Sequence, residues 1–225
     1  MARDTGRSQA YLRELLALYG AAGRPDEAVR AAEKLVELSP ASPEARTALA
    51  QVYLRNGDVE KGLQQYRDLV QLDGTQPAYY KEFGDALQQN GKFGEAQEIY
   101  RKMLDASADD ATRLDAVGRL AAVYIRNGQR DVLLSEFQRR VSAAPRSLSA
   151  YQELAAIYRA AGDMRAALET LERAQGEVED RDEVLRLVMT EAYQAGDHQK
   201  VLAAYEELMA RSAQPTAYDL DRLAS

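Results

Sequence analysis

Apolar residues along this chain recur in paired blocks with helical spacing, each pair divided by a glycine, and the arrangement repeats six times. The dividing glycines are Gly23, Gly57, Gly91, Gly128, Gly162 and Gly196, at spacings of 34, 34, 37, 34 and 34 residues. Four residues before the glycine stand Tyr19, Tyr53, Leu87, Tyr124, Tyr158 and Ala192; seven before it stand Leu16, Ala50, Gly84, Ala121, Ala155 and Met189. Five after it stand Ala28, Gly62, Ala96, Leu133, Ala167 and Val201; nine after it stand Ala32, Tyr66, Tyr100, Phe137, Leu171 and Tyr205. Apolar positions three, four and seven apart on both sides of a glycine predict two amphipathic helices per unit. The glycine then ends the first helix, where a left-handed backbone costs little without a Cβ. Asn56, Asn90 and Asn127 precede it and suit the same turn.

Small residues seven before and five after the glycine let the paired helices approach closely, while the aromatics fill space between one hairpin and the next. The run of such features in residues 11–40 and again in 151–174 resembles the tetratricopeptide repeat, a 34-residue helical hairpin. The resemblance spans 9–215 and divides it into units 9–42, 43–76, 77–110, 114–147, 148–181 and 182–215. Ala111–Arg113 form an insertion before the fourth. It implies an all-α, right-handed superhelical solenoid built as a single array, with partners held on the concave face of the first helices. A lone hairpin cannot bury its own apolar face, so neighbours stack into a continuous core. Residues 216–225 read as a partial capping helix or the start of a truncated next one. Self-association through uncapped terminal repeats is a further expectation.

The fourth unit departs from the pattern. Arg140 stands where the others carry Leu35, Leu69, Met103, Ala174 and Leu208, and Leu133 replaces a small residue. Residues 114–147 also carry a net charge of +3, against a net negative charge in each other unit. Two readings follow: an arginine stem lying along apolar surface with its head in water, or a local anion-binding patch. Close packing at Gly84 predicts that a larger residue there overpacks the third hairpin.

Composition narrows the function. The chain has 225 residues, 29 basic against 36 acidic, and a net charge of −7, which disfavours a general nucleic-acid or anionic-membrane binder. No cysteine is present, which removes disulfide, thiolate and cysteine–metal chemistry. His198 is the single histidine and falls in a turn, so no nucleophile–base pair or metal cluster is indicated. Gly57 to Gly62 has phosphate-loop spacing, but Leu63 and Gln64 follow where lysine and a hydroxyl are needed. The expectation is a protein that is not an enzyme, needs no cofactor or metal, and contacts neither nucleic acid nor membrane. No apolar run approaches the ~20 residues of a membrane span, and residues 1–8 do not form a secretory signal; the chain is expected in the cytoplasm.

Outward positions on the first helices lie ten, six, three and two residues before each glycine. They include Arg13, Arg55, Lys81, Gln88, Arg126, Arg159, Arg186 and Tyr193, the candidate partner-binding residues. Six of these outward residues are basic and one, Asp85, is acidic. Adding the position thirteen before the glycine brings in Glu44, Asp115 and Glu183 and weakens the bias. Arginine forks suit carboxylates, and glutamines can bond an extended backbone. The expected function is a protein–protein interaction scaffold binding an acidic or carboxylate-bearing segment. A helical-repeat RNA-binding module, or the regulatory fragment of a larger multidomain enzyme, are the alternatives. The carboxylate clamp found in some members of the resembling family is not matched. Lys81 fits it, but Asp85, Arg119 and Glu153 do not.

Overall fold

The computed structural model describes residues 2–211, with side chains from Gly6 onward, as twelve α-helices. The expectation for 216–225 falls outside the described residues. The chain divides into two compact units, residues 1–107 and 108–225. In the first unit α1 (Ala2–Ala21) pairs with α2 (Pro25–Leu38), α3 (Pro43–Arg55) with α4 (Val59–Leu72), and α5 (Pro77–Gln89) with α6 (Phe93–Ala106). The second unit holds α7 (Asp110–Arg126), α8 (Arg130–Ala143), α9 (Leu148–Ala160), α10 (Met164–Glu177), α11 (Arg181–Gln194) and α12 (His198–Arg211).

Local chemistry sets these boundaries. All six repeat glycines have positive φ, 64° to 87°, and no other described residue does. At Gly57 (φ 87°) the left-handed residue lets its own N–H reach Leu54 O at 3.2 Å and the Asp58 N–H reach Tyr53 O at 2.9 Å. Those bonds satisfy the carbonyls that the end of α3 leaves open. Proline opens α2, α3 and α5, where its missing N–H is not needed. Ser42 Oγ accepts from Ala45 N at 3.2 Å, and Asp109 accepts from Thr112 N at 2.8 Å; such caps contribute ~1 kcal/mol each.

Close approach occurs where the small residues predict it. A Cβ on Gly84 would run into the Tyr100 ring, 2.7 Å from Cζ, and one on Gly62 would stand 2.7 Å from Leu54 Cγ. Ala50, Ala96, Ala121, Ala155 and Ala167 are fully buried, as are Tyr100, Phe137 and Leu69.

The fourth hairpin is built differently. Residues Ala111–Arg113, which stand between the third and fourth units, lie inside α7 and lengthen its N-terminal end. α7 packs more on α9 than on its own hairpin partner α8. Leu133, fully buried, occupies the place where the other hairpins use small residues or Val201. The added turn carries Arg113 to α9, where its Nε (3.1 Å) and Nη2 (2.6 Å) both donate to Oε1 of buried Glu153. Arg140 of α8 reaches the same carboxylate, Nη1 to Oε2 at 3.7 Å, and donates to Glu136 at 2.7 Å. Its guanidinium lies 4.2 Å over the Phe137 ring. Arg140 lies along apolar surface with its side chain 38% exposed, and its head also has a partner in the next hairpin. It is a counterion of Glu153, because a buried carboxylate needs charged donors to offset its lost hydration.

Candidate functional site

The outward residues of the first unit meet where α3 and α5, the first helices of adjacent hairpins, flank the second helix α4. Gln51, Leu54 and Arg55 from α3, with Glu82, Asp85 and Gln89 from α5, line a groove of about 430 Å³. Tyr66 of α4 is buried beside them, and burial together with nearby Glu82 pushes its phenol up to about 12. The four-residue steps along α3 and α5 put these side chains on one face because a helix repeats every ~3.6 residues. Arg55 is exposed and donates from Nε to Gln51 O at 3.3 Å. Glu82 accepts the Thr47 hydroxyl at 3.1 Å, and Asp85 accepts the Tyr100 hydroxyl at 2.6 Å.

The groove is less basic than the modest positive bias of the outward positions. Arg55 and two carboxylates line it together, since Glu82, nine residues before its glycine, also turns onto the face. Lys81 is half-buried; Gln88 faces α6, accepting from Tyr100 at 3.4 Å. Arg13 is exposed on α1 and its charge helps hold the Glu44 carboxyl low, after the larger effect of the Ser42 hydroxyl.

In the second unit the candidate cations divide. Arg126 is exposed in the last turn of α7. Arg186 lies 3.5 Å from Glu183 on its own helix. Tyr193 is half exposed, its ring edge-on to His198 at 6.2 Å. Arg159 is directed inward instead: its Nη1 lies 3.6 Å from Oε2 of Glu191, whose side chain is 3% exposed. Glu191 Oε1 is buried with no hydrogen-bond partner. Desolvation pushes its carboxyl above the ordinary value of 4.5, and Arg159 only partly opposes that. Arg159 is thus first of all the counterion of a buried acid. Glu191 was missed in the sequence, although a signal existed. Five residues before the glycine, the other units carry Leu18, Val52, Ala86, Val123 and Ile157, so a glutamate there stands out.

Several arginines of the fourth repeat are paired with carboxylates of this chain. Arg119 bonds Asp115 at 2.9 Å and Arg130 lies 3.6 Å from Asp163, besides Arg140 on Glu136 and Glu153.

Family sequence models described as tetratricopeptide repeat match residues 14–77, 78–110 and 150–185, together more than half of the chain. The chain belongs to the tetratricopeptide repeat family. Among curated proteins, this repeat chain is similar to the Photosystem I assembly protein Ycf3 of Prochlorococcus marinus. Identity is 31% over 84 residues, covering 37% of this chain and 48% of that protein. The chain thus matches about half the length of its curated relatives. Among solved structures it is similar to the MamA protein, at 21% identity and TM-score 0.48, over 76% of this chain and 92% of that one. A tetratricopeptide repeat protein from Parabacteroides merdae ATCC 43184 matches at 15% identity and TM-score 0.49, over 97% and 90%. The repeats support a protein-interaction scaffold. No helix among the described residues is long and apolar enough to cross a membrane.

Proposed function

We propose that this chain binds a carboxylate-bearing segment of a partner protein along the first-helix face, with Arg55 as the principal anchor in the first unit. The observation that carries the reading is the open groove between α3 and α5, in which Arg55 stands beside Gln51 and Gln89. A guanidinium offers two parallel donors to a carboxylate, and amide side chains can bond an extended backbone. A cleft concentrates the field of a charge at its wall, so a charge contact at Arg55 outweighs one on a convex face. In the second unit Arg126 takes the corresponding role, whereas Arg159 serves the fold. The name of the matched Prochlorococcus protein, an assembly protein, belongs to the same class of activity, the holding of a protein partner.

The test is affinity capture followed by quantitative binding of the captured partner. Arg55→Glu combined with Arg126→Glu is expected to weaken binding at least tenfold with the helical circular dichroism unchanged. Arg173→Glu, exposed on α10, is expected to have no effect. Arg159→Glu is excluded from the test because it would set a second carboxylate against Glu191 and unsettle the fold. Equal loss in the Arg173 variant, or none in the double variant, overturns the assignment. Capture of a segment rather than a nucleic acid also predicts a shallow salt dependence, whereas neutralised phosphates give a steep one.

A further inference from the structure

Beside the groove, the first hairpin opens a second and smaller recess. Leu16, Tyr19 and Gly20 of α1, Pro25 and Ala28 of α2, and Val52 of α3 surround about 110 Å³ of predominantly apolar space. Gly20 is what opens it. Three residues before the turn glycine, the later hairpins carry the larger side chains Leu54, Gln88, Ile125, Arg159 and Tyr193. Gly20 carries nothing, and a Cβ built on it would meet no atom within 4 Å.

Two cations stand at the rim. Arg24 lies 5.1 Å over the Tyr19 ring and pairs with Glu27. Arg55 borders both the recess and the groove. Past Arg55 come the carboxylates Glu82 and Asp85. The first unit therefore presents, in order along one face, an apolar recess, a guanidinium and a pair of acids. Because α4 lies between α3 and α5, recess and acids are more than one helix spacing of ~8–10 Å apart. An extended chain advances ~3.3 Å per residue and a lysine adds the reach of its own stem, so about three residues is the shortest separation that joins them.

Resting on the groove reading above, we propose that the first unit recognises one three-part segment of a partner protein. An apolar side chain enters the recess, an adjacent carboxylate meets Arg55, and a lysine or arginine about three residues from the apolar residue meets Glu82 and Asp85. The charges of ligand and face are then complementary at both places. A uniformly acidic segment satisfies Arg55 but opposes the two carboxylates. A segment without the apolar residue leaves the recess to water.

The probes are two short peptides, Ac-Leu-Asp-Ser-Lys-NH2 and its reverse Ac-Lys-Ser-Asp-Leu-NH2, because the recess and acids do not fix chain direction. Each is titrated into the full chain while the methyl resonances of Leu16, Val52 and Leu54 are followed. One of the two is expected to move those methyls and to bind at least tenfold tighter than its own controls, with serine for leucine or glutamate for lysine. Gly20→Leu fills the recess at an open helical position and replaces the poorer helix former, so it folds. It is expected to remove the advantage of the leucine probe while leaving the melting temperature equal or higher.

If the serine control binds as well, or Gly20→Leu changes nothing, the recess is not used and the proposal fails. If the glutamate control binds as well, Glu82 and Asp85 select no base and the proposal fails, while capture of an acidic segment stands. If no probe moves the three methyls, the proposal fails too. The groove reading falls separately, only when Arg55→Glu with Arg126→Glu leaves the captured partner bound.

Discussion

Glu191 places a carboxylate among the buried residues of the last two hairpins, and replacing it with valine, the residue at the same register in Val52 and Val123, should stabilise the protein. Three effects set the magnitude. The orphaned Oε1 has lost its water without gaining a donor, which costs ~1–3 kcal/mol. The contact to Arg159 is long, 3.6 Å, and Arg159 is 39% exposed, so it returns only ~0–1 kcal/mol. Once the carboxylate is gone, Arg159 can turn into water and leaves no buried charge behind. That removes the usual penalty for breaking a buried pair. The expected net gain is ~1–3 kcal/mol, and for a chain of this size each kcal/mol moves the melting temperature by ~2–4 °C.

The pH dependence sharpens the test. The folded-state pKa of Glu191 is raised, so the fold binds a proton more tightly than the unfolded chain does. Its contribution is therefore fully present below the ordinary glutamate value of 4.5 and is lost as pH rises through the raised folded value. Wild type and Glu191→Val should accordingly differ least near pH ~4 and most at neutral pH. Thermal melts across that range, with Glu191→Gln as the isosteric companion, read both numbers. A loss of about 1 kcal/mol or more at neutral pH in the valine variant would refute the reasoning, since it would mean the carboxylate is satisfied and supports the fold.

Other perturbations follow from the same contacts. Gly84→Ala should cost ~1–3 kcal/mol, because its Cβ would stand 2.7 Å from Cζ of the fully buried Tyr100 and the ring is tied to Asp85. Hydrogen exchange should quicken in α5 and α6 and stay unchanged beyond residue 108, a locality expected of nearest-neighbour packing. Arg113→Ala should cost about 2 kcal/mol, read by urea denaturation, since it removes both hydrogen bonds from Arg113 to buried Glu153. Arg140→Leu restores the common residue of the repeat but should not stabilise, because Glu153 then loses its second counterion.

Most of the fold can be read along the chain, since a helical hairpin is specified locally. The six glycines mark left-handed turns, Pro25, Pro43 and Pro77 mark helix starts, and Gly84 marks a close approach; each depends on backbone geometry within a few residues. Arg140 could not be read in the same way. Its partner Glu153 lies in the next hairpin, and its role emerges only when α7 leaves α8 and brings Arg113 to the same carboxylate. Arg159 was misread for a related reason. Periodicity places it on an outward position, yet a long side chain can turn to an acid on the neighbouring helix, here Glu191. The groove was half legible: Gln51, Arg55, Asp85 and Gln89 follow from register. Glu82 was left out because it sits at the edge of the face, where helix–helix geometry decides which way a side chain turns.

Site-specific photo-crosslinking to the natural partner tests the central claim most directly. A photoreactive residue is placed at Gln51 or Gln89 in the groove, or at Arg173 on α10, and the crosslinked partner peptide is sequenced. The account predicts crosslinks from both groove positions to one partner segment containing an aspartate, a glutamate or the chain's terminal carboxylate, and none from position 173. Crosslinks from position 173 alone, or groove crosslinks to segments without any carboxylate, would contradict it.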